Sequence, residues 1–201
     1  MPAVVELAQM LEARERRALR QQALFQQYGL PLVSFTMNIP GPIKNSPLIR
    51  RGFRLGRELL LGQLDLAKAP IPFSEEWDEN TGCEGFYVVD LPPRTLKAIT
   101  CGIEKHSELG RLFDMDVLTP EGEKLDRPVP RRCLICGGPA KACARSRTHS
   151  VPQLQAKTKE LLESALLHHD RDTAAGLATR ALLYEVCTTP KPGLVDRNNN
   201  G

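Results

Sequence analysis

The sequence predicts an α/β or α+β domain in which helices flank a mixed sheet and a helical extension follows at the C-terminus. Three observations carry this reading. Some segments repeat their apolar residues every three to four positions and others alternate with period two, the two kinds succeed one another along the chain, and Pro, Gly or Ser stands at the junctions.

From Val5 to Tyr28, Leu7, Leu11, Leu19 and Phe25 recur at helical spacing among Glu, Arg and Gln, and Gly29 closes the run before Pro31. This is an amphipathic opening helix. Leu32 to Met37 alternates, with Val33, Phe35 and Met37 on one apolar face, and reads as a short strand followed by the Gly/Pro-rich loop Asn38 to Lys44. Ser46 then supplies an N-cap and Pro47 a first-turn proline. Ile49, Phe53, Leu60 and Leu64 mark one face of the helix they open, which ends near Gly62 to Asp65.

Pro70 to Gly85, with the only tryptophan, Trp77, reads as a loop, and Phe86 to Val89 as a strand. Asp90 to Pro93 reads as the cap and start of a short helix, and Leu96 to Glu104 as a turn into another strand. Leu112 to Leu118 alternates apolar and acidic residues before a turn at Thr119 to Gly122. Ser150 and Gln153 have capping-box spacing and open a helix through Leu154, Leu161, Ala165 and Leu166; a second helical stretch begins at Asp170 and runs to about Glu185.

Composition narrows the function. With 27 Lys+Arg against 24 Asp+Glu the net charge is +3, too balanced for a dedicated nucleic-acid coat. The 41% hydrophobic and 25% charged residues exclude wholesale disorder. No stretch approaches the roughly 18 apolar residues of a membrane span, and the acidic N-terminal segment does not suit a secretory signal. The expected location is therefore cytoplasmic, with the six cysteines reduced. The 201 residues amount to one domain with a remainder.

The sharpest chemical feature is Asp114 and Asp116. On a strand they share a face, and two adjacent carboxylates are costly unless a cation neutralises them. Mg²⁺ prefers a few carboxylates together with phosphate oxygens, the arrangement that phosphoryl or nucleotidyl transfer uses. Asp-x-Asp alone also describes a solvated strand face. Two acid-free basic runs, Lys44 to Arg57 (Lys44, Arg50, Arg51, Arg54, Arg57) and Arg127 to Arg147, flank the pair and favour a polyphosphate over a bare surface. Read as strand residues, Glu104 and His106 share parity with the aspartates, so either is a candidate metal ligand or base. His106 reads equally as a structural histidine.

Cys133, Cys136, Cys143 and His149 form C-x2-C-x6-C-x5-H, a set able to close a structural zinc site. Unliganded thiols and a redox pair are the alternatives. A zinc-stapled basic module that binds nucleic acid or an acidic protein is the rival to catalysis, although no aromatic lies between Arg127 and Arg147 to stack a base.

Pro31 to Thr36 with Gly41 to Lys44, Gly110 to Gly122, Pro130 to Cys136, and Cys143 to Arg145 followed by Thr148-His149 resemble the apo-citrate lyase phosphoribosyl-dephospho-CoA transferase family, over roughly residues 5 to 167. Phe113 stands where that family usually has tryptophan. The resemblance implies a nucleotidyltransferase-like enzyme. A serine of the citrate lyase acyl carrier protein (gamma chain) would attack 2'-(5''-triphosphoribosyl)-3'-dephospho-CoA and release pyrophosphate. Asp114 and Asp116 would hold Mg²⁺, while Lys44, Arg111, Arg50 and Arg51 would meet phosphates. No nucleic acid and no membrane is expected among its partners. Glu185 to Gly201 resembles the opening of triphosphoribosyl-dephospho-CoA synthase. The expected division is 1–167 for the transferase domain and 168–201 for a linker with a truncated, synthase-like start.

Overall fold

The computed structural model describes residues 3–175, and of 172–175 the backbone alone. Its elements are α1 (Leu7–Tyr28), β1 (Leu32–Met37), α2 (Pro47–Leu66), β2 (Phe73–Glu79), β3 (Gly82–Val88), α3 (Pro93–His106), β4 (Phe113–Leu118), α4 (Ala140–Ser146) and α5 (Val151–Ala175). The strands form one sheet in the order β2-β3-β1-β4. Every pairing is antiparallel, so of the two expected classes this is α+β, without the parallel pair of a mixed sheet.

Period two on β1 and β4 builds the core. Val33, Phe35, Phe113, Met115 and Val117 are buried with Phe53, Leu60 and Leu64 of α2, Leu96 and Ile103 of α3, and Leu162 and Ala165 of α5. Phe35 stacks on Phe53 at 4.6 Å and meets Phe113 edge-on at 5.5 Å. On the opposite face Leu32, Phe86, Val88 and Leu118 pack under Leu24 of α1. The same face turns polar farther along, where Ser34 and Thr36 lie beside Asp116 and Asp114. The domain thus has an apolar layer on one side and a partly charged pocket floor on the other.

Three expectations change. Pro70 to Gly85 is a hairpin, not a loop. The four acids of β2 obscured a strand whose charges are met by arginines: Glu75 by Arg20, Glu79 by Arg16 and Glu76 by Arg57. Such charges suit an edge strand, which must not pair with another chain. Leu96 to Glu104 is helix, because Leu96, Thr100 and Ile103 bury one helical stripe despite the β-branched residues there. Glu104 and His106 therefore share no strand parity with the aspartates. Finally, the Ser150–Gln153 capping box forms in both directions (2.9 and 3.3 Å), but α5 continues through His168 and His169 without a break. The expected boundary at 167/168 falls inside this helix. The predicted helical stretch over 176–185, and the synthase-like segment, lie outside the described residues. Among the described residues no helix is long and apolar enough to cross a membrane.

Gly110 shows how tightly the turn before β4 is made. Its N–H donates to Ser107 O at 2.9 Å, and a Cβ there would lie 2.2 Å from the Glu104 carbonyl oxygen. Gly110→Ala is expected to lower stability by about 1–3 kcal/mol through displaced backbone, seen as a lower urea midpoint with an unchanged slope.

Candidate active site

The alternation of β4 places Asp114 and Asp116 on the sheet face that α1 covers, opposite Thr36 and Ser34 of β1. Thr36 pairs on its other side with Glu84 of β3, so Glu84, Thr36 and Asp114 form one row across three strands. Glu84 escaped the sequence reading because it fell within the supposed loop. Its usable signal is phase: it lies two residues before Phe86, on the same side of the strand. Arg17 of α1 donates to both Glu84 oxygens at 2.7 Å. Those bonds, with Asp114 and Asp116 farther off, raise the arginine's pKa.

Behind Asp114 sits a small network of ions. Arg131 bridges Asp114 Oδ1 (2.9 Å) and Glu104 Oε1 (3.0 Å), and Arg127 pairs with the other Glu104 oxygen. Met115 N–H also donates to Glu104, at 2.8 Å. Burial pushes the Glu104 carboxyl up, and the Met115 amide and the two arginines pull it back. Glu104 thus stands beside Asp114 through Arg131, anchored on a helix. Asp116 accepts from Lys124 at 2.6 Å. His106 is exposed on the last turn of α3, hydrogen-bonded to Gly102 O at 2.9 Å, and does not join this group.

A cavity of about 980 Å³ opens between α1, the ends of β1, β3 and β4, and the 131–154 segment. Arg14, Arg17, Lys44, Arg111, Arg131 and Arg147 line it, against the carboxylates Glu84 and Asp114. A concave surface with that excess of cations favours a polyanion. Lys44 donates to Ile39 O at 2.7 Å, and its pKa is lowered by burial and by Arg14. Arg111 has a buried Nε without a protein partner, and its pKa is lowered by burial, then by Arg131 and Arg127. Both groups therefore gain from an incoming anion. Arg50 and Arg51 do not line the cavity: Arg50 faces Asp78 at 3.8 Å and Arg51 pairs with Asp170 at 2.8 Å.

The cysteine segment forms the outer wall. Ligand atoms of Cys133, Cys136, Cys143 and His149 all lie within 4.8 Å of one another. The backbone N–H groups of Cys136 and Ile135 stabilise the Cys133 thiolate and bring its pKa down to about 6.

The family model for apo-citrate lyase phosphoribosyl-dephospho-CoA transferase matches residues 5–165, which span the whole of this site. The chain belongs to that family. It is 40% identical over 169 residues to the apo-citrate lyase phosphoribosyl-dephospho-CoA transferase of Citrobacter koseri, covering 82% of this chain and 92% of the relative. The corresponding protein of Escherichia coli O7:K1 is 39% identical over 162 residues, 79% of this chain and 88% of that one. A second model, ATP:dephospho-CoA triphosphoribosyl transferase, matches residues 171–201. Protein CitXG of Haemophilus influenzae is 33% identical over 201 residues, 98% of this chain but 43% of its own length. Family membership bears out the resemblance read from the motifs, including the transferase class and the kinship of the C-terminal residues.

Proposed function

We propose that the chain transfers phosphoribosyl-dephospho-CoA from 2'-(5''-triphosphoribosyl)-3'-dephospho-CoA to a serine of the citrate lyase acyl carrier protein. The observation that carries this reading is the Asp114/Asp116 face opening beside a cavity lined by six cationic side chains. The serine oxygen forms a bond to the phosphorus nearest the ribose as its O–H bond breaks and the proton passes to solvent, the bond from that phosphorus to the bridging oxygen breaks, and pyrophosphate departs. Lys44, Arg111 and Arg131 hold the triphosphate and offset the charge that gathers on the leaving group. Arg14, Arg17 and Arg147 extend that cationic lining, and Met10, Met37, Ile39 and Leu154 give the pantetheine arm an apolar flank.

Asp114 and Asp116, with Thr36 opposite Asp114, offer the hard oxygens that Mg²⁺ prefers. These two carboxylates would hold the ion, which would supply positive charge at the departing pyrophosphate. Glu104 acts through Arg131 as a positioning residue, since its carboxylate is occupied by two guanidiniums and an amide.

The test is mass spectrometry of the apo carrier protein after incubation with enzyme, Mg²⁺ and the triphosphoribosyl precursor. A carrier heavier by one phosphoribosyl-dephospho-CoA is expected, and an unmodified carrier refutes the reading. Lys44→Ala and Arg111→Ala should each raise KM for the precursor by about 10- to 100-fold, the worth of a charge-assisted hydrogen bond of ~1.5–3 kcal/mol. Arg51→Ala, which removes a side chain already paired with Asp170 outside the cavity, should leave KM within about twofold, as a surface ion pair is worth little.

A further inference from the structure

The segment from residue 119 to residue 150 has little hydrophobic means of holding its shape beyond the half-buried Leu125 and Leu134, which rest against the core. Within it only Cys133 is buried, α4 buries nothing, and Val129 and Ile135 are exposed. Yet it forms the wall that carries Arg131 and Arg147 into the cavity. Chain this poor in buried apolar surface needs a cross-link to stay ordered. We propose that Cys133, Cys136, Cys143 and His149 bind one zinc ion, which fixes this wall and its arginines. The role of the wall rests on the transferase reading above; the metal site does not.

Four features support the site. First, the ligand atoms gather within 4.8 Å of one another, with Cys136 Sγ and Cys143 Sγ at 3.5 Å. Tetrahedral zinc, with Zn–S of about 2.3 Å and Zn–N of about 2.0 Å, needs ligand atoms separated by roughly 3.5–3.8 Å. Second, the chain is folded to converge them. Cys133 N–H donates to Gly138 O at 2.6 Å and Gly137 N–H to Cys133 O at 3.2 Å, with Gly137 at φ 71°, which closes a tight turn around the first two thiols. Arg147, at φ 48°, ends α4 and reverses the chain, which brings His149 back to Cys143.

Third, the Nε2 of His149 is buried without a protein partner, an atom whose burial is costly unless something coordinates it. Fourth, the electrostatics fit. Three thiolates and a neutral imidazole around Zn²⁺ leave roughly one net negative charge. Arg127 to Arg147 contains six basic residues and no acid, so the cluster would supply the anion this stretch lacks. Four protein ligands leave no open position, which makes the ion structural and separates it from the chemistry at Asp114 and Asp116.

The decisive measurement is the metal content of the full chain, purified without chelators, together with its visible spectrum after exchange into Co²⁺. About one zinc per chain is expected, with the intense d–d and sulfur-to-cobalt bands of a tetrahedral thiolate site. Cys136→Ser and Cys143→Ser should each lose the zinc. They should become cleavable by protease between residues 127 and 150, and they should raise KM for the triphosphoribosyl precursor while the circular dichroism of the sheet and long helices persists. A folded wild-type chain with neither zinc nor cobalt bands overturns the proposal, and this holds even where the variants fail to fold. Full zinc retention in both variants overturns the ligand set. Zinc loss with unchanged KM overturns the wall's role. A zinc-loaded wild-type chain that transfers nothing counts against the transferase reading and leaves the metal site standing.

Discussion

Asp114→Asn is expected to reduce transfer by at least about a thousandfold at saturating substrate, and Asp116→Asn to do the same, in chains that remain folded. Removing one preorganised electrostatic element at a transition state typically costs 10²–10³ in rate, and here the same change also weakens the cation site. Stability should hardly move. The two side chains are 31% and 23% exposed, and asparagine keeps an oxygen for Arg131 or Lys124 to meet. Rates from mass spectrometry of the carrier protein, set beside urea unfolding of the same preparations, separate the effects. Turnover at wild-type level in both variants refutes the two-aspartate mechanism. Glu84→Gln belongs in the same series: Glu84 lies in the row of Thr36 and Asp114 but is held by Arg17, so its loss should act on Arg17 and on KM more than on kcat.

Features of the fold set by local spacing were legible. The Ser46–Pro47 start of α2, the alternation of β1 and β4 and the Ser150–Gln153 box each depend on residues a few positions apart, and each is present in the structure. The helix α1 is present too, but Leu7, Leu11 and Leu19, read as its apolar face, are exposed, and it buries Ala13 and Leu24 instead. The β2–β3 hairpin was hidden because what stabilises it is distant. Arg16, Arg17 and Arg20 on α1 neutralise acids 55 to 67 residues away, and nothing within Phe73 to Glu79 records that. The same physics divides the site. Asp114 and Asp116 were visible through period two, and Lys44 and Arg111 through the motifs around them. Arg14, Arg17 and Glu84 become neighbours only when α1 lies across the sheet. Arg50 and Arg51 misled because a basic run gives composition without direction: Ile49, Phe53, Leu60 and Leu64 face the core, which turns these arginines toward Asp78 and Asp170.

Removing the Glu104 carboxylate should be the most damaging single change to stability. The side chain is 2% exposed and is the shared anion of Arg127 and Arg131, and the desolvated Arg111 lies close enough for both to depress its pKa. Glu104→Ala would leave Arg127 without its carboxylate and Arg131 with Asp114 alone, and strip the Met115 N–H of its acceptor within β4. Breaking a buried pair by deleting one partner costs about 3–5 kcal/mol, because the remaining charge is still desolvated. Urea unfolding should therefore show a large loss of midpoint. Glu104→Gln keeps an oxygen for Met115 and Arg131 but removes the charge and turns an NH2 donor toward Arg127, so it should cost less than alanine and stay folded. That second variant isolates the functional role. If Glu104 sets the position of Arg131, the glutamine form should lose kcat more than it raises KM, since a guanidinium displaced toward Asp114 competes with the cation there, while of the three residues that hold the triphosphate only Arg131 loosens and Lys44 and Arg111 keep their grip. If Glu104 only holds α3 to β4, transfer by the folded fraction should be unchanged, and the positioning role is then refuted.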